Sequence, residues 1–132
     1  MQGKEAVLPS IADLSCDQAS FEISGSRATI GTSLNHLCYY LDLFNVESRG
    51  EEEKRDWDGS WILQQFDQAA WQHVQSRVRS EYEKAFQWYK TQAESDAGLV
   101  SDEIAESVIA NIAHAAFHLG AIRVLIPMVQ SH

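Results

Sequence analysis

From Ser101 to Pro127 the chain reads SDEIAESVIANIAHAAFHLGAIRVLIP, and between Ser107 and Val129 its only formally charged residue is Arg123. The run shows no two-residue alternation and is far longer than a strand, so it predicts one long helix. A helix that is apolar nearly all round belongs in a protein core or in a membrane. Into that wall the sequence sets His114 and His118. Four residues apart, both rings leave one face about one turn from each other. Imidazoles on a buried face need either hydrogen-bond partners or a metal.

The choice between core and membrane falls to the polar residues of the same stretch. Asn111, His114, His118, Arg123 and Pro127 make a lipid-spanning helix expensive, so no membrane partner is expected. A formal net charge of -9, from 19 acids and 10 bases, disfavours nucleic acid and anionic lipid alike. The 132 residues suit one domain covering 1–132 and can bury a substantial core. Met1 to Ser10 has no apolar core after a basic start, so no signal peptide is expected. Cys16 and Cys38 are too few for a disulfide framework. The expected compartment is the cytoplasm.

In chain order, Ala6 to Leu14 predicts a weak first helix that Pro9 either kinks or starts. Asp17 to Ala28, polar and containing Gly25, predicts a turn or loop. A second helix is expected from an N-cap at Thr29 to about Val46, with Leu34, Leu37, Cys38, Leu41 and Phe44 as its apolar stripe. His36 lies one residue off the centre of that stripe. Glu47 to Gly59 is dense in charge and predicts a solvated linker. Ser60 is the expected N-cap of a third helix reaching Glu94, with Leu63, Phe66, Ala70, Val74, Val78, Tyr82, Ala85 and Tyr89 in period. Ser95 to Val100 predicts a short turn, and Ser101 the cap of the last helix, with Asp102 and Glu103 favouring its dipole. Four helices with short connections predict an all-α four-helix bundle.

A pair of histidines four apart is common by chance, and each ring can simply pack and donate to a carbonyl. A third histidine on another helix, His36, adds weight to a metal, because bundles build such sites from inward side chains of facing helices. Three neutral nitrogens would leave a coordination position open for water or substrate. Zinc, nickel, iron and copper all accept imidazole. Gly120, in mid-helix, costs roughly 1 kcal/mol against alanine and so predicts a close neighbour. Asn111 and Ser107 share the face of His114 and could orient its ring, with Asn35 and Asp42 weaker candidates. Cys38, two residues from His36, reads either as a sulfur ligand or, more simply, as a buried structural thiol.

These residues carry a resemblance. IANIAHAAFHLGAIRVLIP resembles the terminal-helix signature of the DinB/YfiT-like superfamily: a histidine, three residues, a second histidine, then a step to glycine. RATIGTSLNHLCYYLDLF is similar to that family's second-helix motif, and WDGSW before a long helix is in keeping with it. The resemblance covers most of the chain from Ala28 onward. It implies a four-helix bundle of up-down-down-up topology, often dimeric, with a divalent metal, zinc or nickel, held by His36, His114 and His118. Many members have glutamine after the glycine that follows the last ligand, where this chain has Ala121. The first helix is short for the family, and a dimer partner could complete it.

Relatives of that family include thiol-dependent transferases and isomerases. The resemblance therefore implies a small-molecule substrate and a low-molecular-weight thiol, activated on the metal as a thiolate. Water activation for hydrolysis is open to the same site. A second class of function is a non-catalytic homodimeric bundle that binds a small ligand or a protein partner, with its histidines merely packed. Trp57, Trp61, Trp71 and Trp88 could line such a pocket, although tryptophans at helical spacing are more often core. His73, on the polar side of the third helix, and His132 are expected in solvent.

Overall fold

The computed structural model describes residues 7–23, 29–52, 54, 56, 58–62, 65–94 and 102–131. Regular structure among them is helical throughout: α1 (Val7–Ile11), α2 (Cys16–Ala19), α3 (Ile30–Ser48), a 3-10 turn (Gly59–Trp61), α4 (Gln68–Glu94) and α5 (Asp102–Gln130). Three helices are long. α3 is the central one, packed against both α4 and α5, which hardly meet each other.

α3 begins as its sequence predicts. Thr29 is extended, and its Oγ1 accepts the Thr32 N–H at 3.1 Å, which satisfies one of the amides a helix start leaves free. Leu34, Leu37, Cys38, Leu41 and Asn45 are buried on one stripe, and Thr32, Ser33 and His36 are buried on others. One core joins Ile11, Leu14 and Ala19 to these α3 residues, to Phe66, Trp71, Val74 and Val78, and to Ile122 and Val129 of α5.

The N-terminal region differs from the single weak helix expected. α1 takes Pro9 into its first turn, where the missing N–H costs nothing. The first residues of the expected loop, from Asp17 to Ala19, are helical as part of α2. Ser15 Oγ accepts the Gln18 N–H at 3.1 Å, and Ser15 N–H donates to Gln18 Oε1 at 3.0 Å. This is a capping box, and its Ser-x-x-Gln signal is legible in the sequence. Gly25 lies outside the described residues.

The third long helix starts later than Ser60 implies. Ser60 belongs to the separate 3-10 turn, and α4 begins at Gln68 after Asp67, whose Oδ1 accepts the Ala70 N–H at 2.7 Å. Phe66 is buried in the intervening segment, tied back by its N–H to Ser20 Oγ at 2.8 Å. The buried face of α4 is Trp71, Val74, Val78 and Glu81, whereas Tyr82, Phe86 and Tyr89 are exposed. Trp71 donates its indole N–H to Leu14 O at 3.0 Å, which locks α4 to the N-terminal segment. Leu63, Gln64, the Ser95–Val100 turn and the Ser101 cap lie outside the described residues.

α5 continues one turn beyond the expected end and carries Pro127 inside it. The larger departure is burial. Among the described side chains of α5, His118, Ile122 and Val129 are buried, while Ile109, Ile112, Phe117, Val124 and Met128 are exposed. The helix is as apolar as the sequence says, yet only one side of it meets the rest of the chain. Val108–Gln130 is long and apolar enough to cross a membrane by length and composition.

Candidate metal centre

α3 and α5 pack so that His36 faces His114 and His118. α3 lies between α4 and α5, so its side away from the Leu34–Leu41 stripe is enclosed too and carries His36, and the four-residue step on α5 brings His114 and His118 to the face that meets it. His36 and His118 are 4% and 2% exposed. His114 Nε2 stands 3.2 Å from His36 Nε2 and 3.2 Å from His118 Nε2. One ligand atom from each ring falls within 4.8 Å of the others, and this metal-competent group consists of histidines alone.

Hydrogen bonding alone accounts poorly for that meeting. His114 Nε2 carries either one proton or one lone pair, so it cannot make two good linear bonds with two ring nitrogens. A cation accepts all three lone pairs at once. Two nitrogens about 2.0–2.1 Å from a tetrahedral zinc stand roughly 3.3 Å apart, close to the spacing seen here. The three residues therefore fit a divalent ion in donor type, and the two spacings to His114 fit it in distance.

The surroundings hold the rings neutral and oriented. Burial, and then the neighbouring His114, push His36 down to about 4. Burial followed by the other two imidazoles does the same to His118, also to about 4. Burial lowers His114 as well. Around neutral pH all three rings thus present lone pairs without a competing proton. His36 Nδ1 lies 2.7 Å from Ser60 Oγ, both groups buried. With Nδ1–H donated to that oxygen, the lone pair resides on Nε2, on the side of the other histidines. Trp61 stacks on His36 at 3.9 Å between centroids, and Tyr40 stacks on His114 at 3.8 Å. Phe117 meets His118 edge-on at 5.3 Å.

The 3-10 turn that delivers Ser60 and Trp61 depends on Gly59. Asp56 Oδ1 accepts the Gly59 N–H at 3.0 Å, and a Cβ on residue 59 would sit 2.2 Å from Asp56 Oδ2. A side chain at 59 would push the exposed Asp56 carboxylate aside and cost the turn this bond.

All three histidines singled out in the sequence come together, but the orienting groups are different ones. Ser60, expected as a helix cap, is the hydrogen-bond partner of His36. His114 Nδ1 is buried with no hydrogen-bond partner among the described residues, so Asn111 does not orient that ring by a hydrogen bond. The Ser107 side chain lies outside the described residues. Cys38 lies in the apolar core, and burial pushes its thiol up to about 11, which suits the structural reading. The tryptophans do not share a pocket. Trp71 is core, Trp88 packs edge-on against Phe44, Trp61 covers His36, and Trp57 lies outside the described residues. His73 is exposed as expected, and His132 lies outside the described residues. The aromatic partners Tyr40 and Trp61 had one signal in the sequence: Tyr40 follows His36 by four residues, and Trp61 follows Ser60 directly.

Comparison with protein-family models, with curated proteins and with solved structures returns no match.

Proposed function

We propose that this chain is a divalent-metal-binding protein of DinB/YfiT-like plan, a four-helix bundle in the cytoplasm whose His36, His114 and His118 hold zinc or nickel. We further propose that it acts on a small molecule as a metal- and thiol-dependent transferase or isomerase. The observation that carries this reading is the convergence of two buried imidazoles, His36 and His118, on the half-buried His114, whose Nε2 stands 3.2 Å from each of theirs.

The chemistry follows from the donor set. Three neutral ligands leave the charge of a divalent ion uncompensated, which favours an anionic fourth ligand and lowers the pKa of a bound thiol or water. The chain supplies orientation and shielding. Ser60 holds the His36 proton at Nδ1, and Tyr40 fixes the plane of His114. Trp61, 41% exposed, flanks His118 at 5.4 Å and with Phe117 offers aromatic surface to the apolar part of a substrate.

The second reading is a non-catalytic homodimeric bundle that binds a small ligand or a protein partner. It is favoured by a groove between α3 and α4 lined by Ser48, Arg49, Lys84, Gln87 and Trp88, away from the histidines. One experiment separates the two. Untagged protein is analysed for metal beside His36→Ala and His118→Ala, then assayed for turnover of electrophiles with low-molecular-weight thiols. Near one ion per chain, lost in both variants, with thiol-dependent turnover, supports the enzyme. Failure to take up zinc or nickel on titration removes it.

A further inference from the structure

The outer face of α5 has no partner among the described residues. Ile109, Ile112, Phe117 and Val124 are 65%, 63%, 71% and 66% exposed. At helical spacing they fall with Ala113, Ala116 and Gly120 on the side opposite His118, Ile122 and Val129. From residue 105 to 128 the only formal charges are Glu106 and Arg123. Ordinary monomers rarely expose an apolar patch of more than a few hundred Å².

Gly120 indicates what covers this face. Glycine is a weak helix former, and a Cβ added at 120 would meet nothing within 4 Å. Nothing among the described residues calls for it. A bare backbone among exposed Ala113, Ala116 and Ile109 forms a hollow into which another helix can seat a side chain.

We propose that the outer face of α5 pairs with the same face of a second copy, antiparallel and centred between residues 114 and 115. In that register the face complements itself. Ile109 comes level with the partner's Gly120, Ile112 with the partner's Phe117, and Ala113 with the partner's Ala116. Ile109 meets the glycine hollow, Ile112 packs on Phe117, and the small Ala113 and Ala116 meet at the centre, where the helices come closest. Glu106 comes level with the partner's Arg123, so the two charges of the face attract in this orientation and in a parallel one meet their own kind. In this register residues 105–124 face residues 105–124 of the second copy, about 30 Å of helix at 1.5 Å per residue. Lipid is the poorer occupant. A net charge of -9 opposes anionic membrane, and a glycine hollow lowers the apolar area offered to lipid while favouring a close helix. Phe117 borders the histidine cluster, so pairing also walls one side of that site. The pairing itself does not rest on metal.

Sedimentation velocity of the full chain, with and without zinc, is the test, accompanied by Gly120→Leu, Glu106→Arg, Arg123→Glu and the double charge exchange. The wild type is expected to sediment as a dimer at micromolar concentration. Gly120→Leu should weaken it at least tenfold while helix content by circular dichroism is kept or raised, since a monomer has room for the side chain. Each single charge change should weaken the dimer a few-fold, and the double exchange should restore it. A monomer at every concentration overturns the proposal, as does a dimer indifferent to Gly120→Leu. A monomer that binds phosphatidylcholine vesicles would assign the face to lipid instead. A double exchange that fails to restore the dimer overturns the antiparallel register.

Discussion

α3 and α5 hold the histidine site between them, yet they relate to solvent in opposite ways. α3 carries the more polar sequence and is buried on nearly every side, including at Thr32, Ser33, His36 and Asn45. α5 carries the most apolar sequence of the chain and leaves one whole side in water. Hydrophobicity measures what burying a residue would gain. Position in the packing order decides whether it is buried. α3 lies between two long helices, so even its polar residues are enclosed and must find partners. Thr29 and Thr32 pair at 2.9 Å, and Asn45 donates to both Glu81 O and Glu81 Oε2 at 2.9 and 2.8 Å. α5 has only α3 and the short N-terminal helices to lean on, so its second face is spare.

The largest expected effect follows directly from this contrast. Leu37→Ala, in the fully enclosed stripe of α3, should cost about 2–5 kcal/mol through lost transfer energy and a residual cavity. Ile112→Ala, on the outer side of α5, should change the stability of the isolated chain by no more than about 0.5 kcal/mol. Urea unfolding at high dilution measures both. An Ile112→Ala cost as large as that of Leu37→Ala would abolish the distinction between the two helices.

The next effect concerns how the enclosed helix orients its ligand. Ser60→Ala removes the hydroxyl that receives the His36 Nδ1 proton, and it should weaken zinc binding by about 10–100-fold with the fold intact. Ser60→Thr, which keeps the oxygen, should recover most of that loss. Competition titration against a chromogenic chelator reads both variants. Equal affinities for wild type and Ser60→Ala would reduce the hydroxyl to a packing role.

A smaller effect appears with pH in metal-free protein. His36 and His118 stay neutral in the folded chain down to about pH 4, whereas in the unfolded chain they take up protons near 6.5. Below 6.5 the unfolded state therefore binds more protons, so stability falls as pH drops from 6.5 towards 4 and is insensitive to these groups above 6.5. Carboxylates titrate in the lower part of this window, so the informative quantity is the difference from a variant. His118→Gln should show a shallower decline between pH 6.5 and 5 in urea midpoints. Parallel curves would mean that His118 is not held neutral by its surroundings.

Much of this was legible in the sequence, for local reasons. Thr29 as a cap, the stripe from Leu34 to Leu41 and the length of α5 all depend on residues within a turn or two of one another. The triad was legible because the step from His114 to His118 fixes two rings on one face of any helix. What escaped involves distance along the chain. The start of α4 was misplaced because Leu63, Phe66 and Ala70 keep helical spacing across a stretch that is not helix, and Phe66 is buried there through Ser20. Ser60 looked like a cap because its local sequence suits one, but its partner lies 24 residues earlier on another helix.

The sequence by itself determined the all-helical character, the capping of α3 and that His114 and His118 share one helix face, because periodicity and caps act over a few residues of one segment. Tertiary structure alone decided that Ser60 and Trp61 turn back onto His36, that Asn111 does not serve His114, and that the most apolar helix keeps a face in solvent. Those outcomes depend on which elements compete for the same side of α3, and no local free energy contains that competition.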